Sequence, residues 1–262
     1  MMEGIMSRHR NKRSHIGRIA AIATAVAAGA AVAVIAVAPG SAPERMPAPQ
    51  PPRPETALVV PLPPANPAAV GAGIAQLADP AWVASVASAS GIPRRALEAY
   101  AGAAIVKAAQ MPRCRLGWTT LAGIGFAESD HGRHGGSQIR DDGTVVPPIF
   151  GIALDGRGTA HVPDSDSGAV DGDAAADRAV GPMQLIPQAW RNWHVDAGGD
   201  GVEDPQNIDD AVTAAANYLC RASAYMADAK GWRAGIAAYN ASAVYRQTVA
   251  DAANRYAAAA RG

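Results

Sequence analysis

Leu116 to Ala127 is apolar at helical spacing and runs straight into Glu128-Ser129-Asp130-His131-Gly132. After that point no sustained period, helical or extended, returns before residue 180. The chain must therefore bury a helix that breaks at a carboxylate, and must also accommodate a long segment without regular structure. That segment repeats turn chemistry instead: Asp141-Asp142-Gly143, Asp155-Gly156, Pro163-Asp164 and Asp171-Gly172-Asp173. Loops this long inside a compact domain are uncommon and often functional. Glu128 has two readings. Half in the core and half facing a cleft, its carboxyl would keep its proton near neutral pH and could donate it. Exposed at a helix C-terminus, it would be a solvated anion in a mildly unfavourable place.

The N-terminus constrains where the chain works. Ile19 to Ala38 is an unbroken run of small apolar residues with one Gly and one Thr, preceded by Arg8, Arg10, Lys12, Arg13 and Arg18. Such a run reads as a secretory signal or a single membrane anchor. Ala36-Val37-Ala38 fits the small-x-small cleavage pattern, although Pro39 would follow the cut. Either outcome places the body outside the cytoplasm. The expected organisation is a cytoplasmic basic segment over 1–18, a signal or transmembrane anchor over 19–38, a Pro/Ala-rich linker over 39–69 that contributes no core, and a folded domain over 70–262. The whole chain has 23 basic and 23 acidic residues; removing the first forty, with five basic and one acidic, leaves 18 against 22. A body of net −4 does not fit a nucleic-acid binder or an anionic-membrane binder.

Cys114 and Cys220 are the two cysteines. In an oxidising compartment they are expected to pair, closing a loop of roughly 105 residues that contributes about 4.7 kcal/mol in the chain-entropy model; two buried free thiols are the alternative. His131 and His134 lack the ligand partners of a zinc site and read as solvated loop histidines.

Helix signals punctuate the rest. Asp79-Pro80 starts one helix, Gly91-Ile92-Pro93 breaks it, and Pro93 to Gln110 shows a single apolar stripe. Val145 to Ile152 reads as one short strand or hairpin arm. Gly181-Pro182-Met183-Gln184-Leu185-Ile186-Pro187 is a tight apolar turn holding one amide, followed by a short helix from Gln188 to Trp193. Asp196-Ala197-Gly198-Gly199-Asp200-Gly201 resembles the start of an EF-hand loop, but Gly198 stands at position 3 in place of an oxygen donor and Asn207 at position 12 in place of Glu. An Asx-rich structural turn is the competing reading. Asn207 caps a helix to about Ala222, Trp232 to Ala238 is a short buried helix, and Ser242 caps a last helix from Ala243 to about Ala260. No nucleotide-binding loop, serine nucleophile elbow or internal repeat is present.

Five stretches occur in order: Leu121-Ala122-Gly123-Ile124 through Glu128-Ser129 with His131-Gly132; Asp177 to Gln184; Asp200-Gly201-Val202-Glu203-Asp204-Pro205; Ala214 to Leu219; and Tyr239-Asn240 with Tyr245. In these the chain resembles the lytic murein transglycosylase B family of the lysozyme-like superfamily, particularly its exported single-pass branch with a long Asp/Gly insert. The resemblance covers about Ala96 to Tyr256. It implies a mostly α, lysozyme-like (goose-type/transglycosylase) helical domain with a long loop insert, so that 70–262 would be the catalytic domain.

The resemblance also implies an activity: cleavage of the MurNAc-β-1,4-GlcNAc bond of peptidoglycan, leaving a 1,6-anhydro-MurNAc end. Glu128 would be the single catalytic acid and base. Gln184 matches an amide near the cleaved bond, Tyr239, Asn240 and Tyr245 match cleft residues, and Tyr218 matches a sugar-facing aromatic. Ser129 would either contact the Glu128 carboxyl or cap the broken helix. Gln184 read alone is a turn amide, and Tyr239 and Tyr218 read alone are core aromatics. The family's calcium-type loop matches Asp196, Asp200 and Asp204, so a structural Ca2+ stays open there; no cofactor is required for the chemistry. The expected partner is the peptidoglycan glycan strand, with the membrane added if residues 19–38 stay uncleaved, and the chain is expected to act as a monomer. A hydrolytic muramidase of the same fold, with Asp130, Asp155 or Asp177 as second carboxylate, and a non-catalytic wall-binding protein are the rival readings.

Overall fold

A computed structural model describes residues 55–57, 59–71 and 73–262. The basic segment 1–18 and the signal or anchor run 19–38 lie outside the described residues. Among the described residues no helix is long and apolar enough to cross a membrane.

Helix α1 (Pro80–Ser90) begins where Asp79 accepts the Trp82 N–H at 2.8 Å and Pro80 fills a position that needs no N–H. It ends at Gly91, in the left-handed region at φ 73°. Helices α2 (Arg94–Gln110), α3 (Trp118–Ser129) and α5 (Ile208–Ala222) form the centre. Leu97 and Tyr100 of α2, Leu121 and Ile124 of α3, and Ala215 and Leu219 of α5 are fully buried. Helix α7 (Ala243–Ala259) lies along α3 and contributes Val249 and Ala253 to the same core. Their backbones meet closely, because a Cβ on Gly123 would lie 2.7 Å from the Val249 carbonyl oxygen. The short helices α4 (Pro187–Trp193) and α6 (Ala229–Tyr239) complete the body.

The segment between α3 and α4 holds two antiparallel pairs, β1 (Gln138–Ile139) with β2 (Val145–Val146) and β3 (Phe150–Ala153) with β4 (Arg178–Val180). The expected single strand over Val145 to Ile152 is thus split. Pro147 and Pro148 offer no N–H to a ladder and separate β2 from β3. The many acids here build turns. Asp164 accepts the N–H groups of Asp166, Ser167 and Gly168, Asp166 those of Ala169 and Val170, and Asp171 those of Asp173 and Arg178. Asp177, fully buried, accepts both the N–H and the hydroxyl of Ser165 at 2.8 Å.

Cys114 and Cys220 form a disulfide across a sequence separation of 106 residues, tying the loop before α3 to the end of α5. Residues 55–69 do more than the linker reading allowed. Ala57 and Val60 pack against the core, Pro63 is buried, and Asn254 donates to the Thr56 carbonyl at 2.9 Å. Apolar residues among the prolines have found helical surface to cover, which corrects the expectation that 39–69 contributes no core.

Candidate active site

Glu128 occupies the last turn of α3, half-buried. The helix stops beyond it because Asp130 and His131 both adopt positive φ, 50° and 59°, and their N–H groups return to Phe126 and Gly125. Burial pushes the Glu128 carboxyl up to about 7, against the pull of a hydrogen bond from Tyr245. That bond, Tyr245 Oη to Glu128 Oε1, is 2.6 Å long and crosses 117 residues of sequence. Tyr245 sits in the first turn of α7, whose entry is fixed by the Ser242 cap. Burial first, and then the Glu128 charge, push the Tyr239 and Tyr245 phenols up. Both therefore stay protonated hydrogen-bond donors.

The amide turn reaches the same place. Gly181 opens it with a positive φ of 72°, and a Cβ there would meet the Pro205 carbonyl oxygen at 1.8 Å. Two residues grip the turn. Ser129 Oγ donates to the Pro182 carbonyl at 2.6 Å and accepts the Gly132 N–H at 2.8 Å. Tyr239 Oη donates to the Met183 carbonyl at 2.6 Å. Ser129 is 2 % exposed and its hydroxyl is engaged with backbone on all sides, so it clamps the turn to the end of α3 and presents nothing to a ligand. Gln184 follows Met183; its Nε2 donates to the Gly181 carbonyl at 3.0 Å. Tyr218 donates to the Ala238 carbonyl at 2.6 Å, and its ring lies 5.8 Å from Tyr239. Asn240 is exposed, its side-chain oxygen Oδ1 accepting the Ser242 N–H at 3.0 Å.

Glu128, Tyr245, Tyr239 and Tyr218 are thus linked one to the next, and Gln184 and Asn240 neighbour that group in the chain, after Met183 and Tyr239. Asp196, Asp200 and Asp204 form a different arrangement. Asp196 accepts the N–H groups of Gly199, Asp200 and Gly201, Asp200 that of Val202, and Asp204 that of Gln206. Both Asp196 oxygens and one oxygen each of Asp200 and Asp204 accept backbone donors, the pattern of an Asx-rich turn, and Gly198 brings no side-chain oxygen. The buried Asp210 holds it by accepting from Ala197, Gly198 and Asp204; burial raises this carboxyl to about 6 against those three bonds. Among the described residues the acids whose oxygens approach within 4.8 Å of one another are Asp164, Asp166 and Asp177.

Sequence reasoning missed His131. It is 1 % exposed rather than solvated, with Nδ1 3.0 Å from Tyr100 Oη and Nε2 2.8 Å from Tyr256 Oη. Burial, helped by the Arg133 charge, pushes its imidazole down to about 4. It joins α2, the turn after Glu128 and α7. No local pattern signals this, because its partners lie 31 and 125 residues away.

Residues 166–235 match the family described as Transglycosylase SLT domain. The match supports placement in the lytic transglycosylase, lysozyme-like superfamily, and the mostly helical body with small sheets is of the lysozyme-like class. The SLT segment contains Gln184 and Tyr218; Glu128, Tyr239, Asn240 and Tyr245 lie outside it. No curated protein and no solved structure gives a significant match.

Proposed function

We propose that the chain is a peptidoglycan lytic transglycosylase of the murein transglycosylase B type, with Glu128 as its only acid and base. The observation that carries this reading is the Glu128–Tyr245 pair: a half-buried carboxyl, raised to about 7, steered by a phenol that stays protonated. Such a group can protonate the oxygen leaving from C1 of MurNAc. The 2-acetamido carbonyl of the same sugar then attacks C1, as in substrate-assisted glycosidases. The carboxylate formed takes the proton from O6, whose oxygen closes on C1 and releases the acetamido group. No water is added, and the strand ends in 1,6-anhydro-MurNAc.

A hydrolase would ask for a second carboxylate across the bond. The acids considered for that role are committed elsewhere: Asp130 to Arg133, Asp155 beside Arg157 and the Arg157 N–H, and Asp177 to Ser165. This favours the single-carboxyl route. Gln184, Asn240 and the Tyr218–Tyr239 pair would contact the glycan, and the chemistry asks for no cofactor. The disulfide and a peptidoglycan-directed domain support work outside the cytoplasm; we further propose a monomer on glycan strands, anchored by residues 19–38 or released after cleavage there. Mass analysis of glycan released from purified peptidoglycan tests the proposal. Anhydro ends are expected; products that have gained one water per cut would establish a muramidase, and no cleavage a wall-binding protein.

A further inference from the structure

The aromatic side chains near Glu128 do not stop at Tyr218. Its ring lies 5.8 Å from Tyr239 on one side and 6.3 Å from Trp193 on the other, within 26° of parallel to the Trp193 ring. Tyr239 is the member that feels the Glu128 charge. Tyr239, Tyr218 and Trp193 therefore form a row leading away from the carboxyl, all three half-buried. Both tyrosine hydroxyls are turned onto backbone carbonyls, Met183 and Ala238.

Trp193 is the last residue of α4, a seven-residue helix whose end would otherwise fray. It is held instead by an unusual support. Asn217, next to Tyr218, donates Nδ2 to the Trp193 carbonyl at 3.2 Å. The Asn217 side-chain oxygen Oδ1 in turn accepts from Lys107 Nζ, which also donates to Gln110 Oε1 at 2.6 Å. Lys107 is only 4 % exposed, and burial pushes its ammonium pKa down. Burying an ammonium among amides is costly. Here it braces Asn217, which holds the backbone of Trp193.

We propose that Trp193 is a sugar-stacking residue that extends the glycan cleft outward from Glu128 and gives the enzyme a preference for longer strands. The inference rests on the transglycosylase reading of Glu128. Pyranose rings carry apolar C–H faces and equatorial polar groups, and sites for such ligands combine aromatic walls with a few placed polar groups. A row of rings suits successive sugars of an extended β-1,4 strand; a wall for a single sugar would need only the first.

The test is KM and kcat on purified glycan strands of defined length, tetrasaccharide against octasaccharide, for wild type and Trp193→Ala. The variant is expected to raise KM on the octasaccharide about tenfold, a loss of one stacking contact, with kcat unchanged and the tetrasaccharide KM at the wild-type value. An unchanged octasaccharide KM, or an equal rise on both substrates, overturns the inference. Trp193 also packs against the core, so the conservative Trp193→Phe is read in parallel by tryptophan fluorescence. In a Glu128→Gln background, octasaccharide binding should change the emission, and Trp193→Phe should abolish that change; its persistence counts against Trp193. A wild type that cleaves neither substrate overturns the transglycosylase reading and this inference together, whereas insensitivity to Trp193 in an active enzyme overturns this inference alone.

Discussion

Glu128 acquires its chemistry from the place where α3 ends. Burial raises the carboxyl to about 7 and the Tyr245 bond restrains the rise. As the proton donor of the first step it must be protonated, so kcat/KM should be level below about pH 7 and fall about tenfold per pH unit above it; a profile that rises through pH 7 would contradict the assignment. The same shift has a stability consequence. Between the unfolded value near 4.5 and the folded value near 7, the native state holds a proton that the unfolded state has lost, so stability falls as pH rises through that window. At about 1.4 kcal/mol per pH unit, the cost at pH 8 is on the order of 3 kcal/mol. Glu128→Gln, which cannot ionise, should therefore melt higher than wild type at pH 8 and no higher at pH 4, as calorimetry at the two pH values would record. The helix break that holds Glu128 was legible as a local feature, while its reading as an acid and base came from the resemblance. Tyr245 was legible only through resemblance, since a contact across 117 residues leaves no local trace.

At the scale of elements, starts and stops were readable wherever a side chain makes the cap: Asp79 for α1, Asn207 for α5, Ser242 for α7, Gly91 closing α1. Helix α6 begins three residues before the expected Trp232, because Asp228 caps it through the Gly231 N–H at 2.7 Å. Gly231 reads as a breaker; it is kept for space, since a Cβ would meet the Tyr225 carbonyl oxygen at 1.7 Å. Helices α2, α3 and α7 are pinned together by His131 between Tyr100 and Tyr256, and that joint fixes how α7 carries Tyr245 to Glu128. The imidazole is neutral when folded. As pH falls from the unfolded value near 6.5 toward about 4, the unfolded state takes up a proton that the native state refuses, and stability is lost through this window. His131→Gln, with no titrating ring, should flatten that part of the stability–pH curve in urea titrations; an unchanged slope between pH 4 and 6.5 would remove His131 from the account.

For the molecule as a whole, the pairing of Cys114 with Cys220 followed from arithmetic once export was read from residues 1–38. What sequence could not show is the return of α6 and α7 across the end of α3, or the folding of the acidic insert into capped turns that end at Met183, under the Tyr239 hydroxyl. Turn chemistry at Asp164 and Asp171 was readable, but the N–H groups that Asp164, Asp166, Asp171 and Asp177 accept were not, because each finds its donors only when the turn is closed. The disulfide bridges the two regions that carry Glu128 and Tyr218. A loop this long gives roughly 4.7 kcal/mol in the chain-entropy model. Reduction should therefore lower the melting temperature by roughly 10 °C; coincident melting curves with and without reductant would count against that contribution.

The most direct measurement is release of soluble glycan from purified peptidoglycan by wild type and by Glu128→Gln, with folding of both verified by circular dichroism. The account predicts anhydro-ended fragments from the wild type and none from the variant at any pH. A folded Glu128→Gln protein that releases the same fragments at the wild-type rate would show that the acid of this site is another residue.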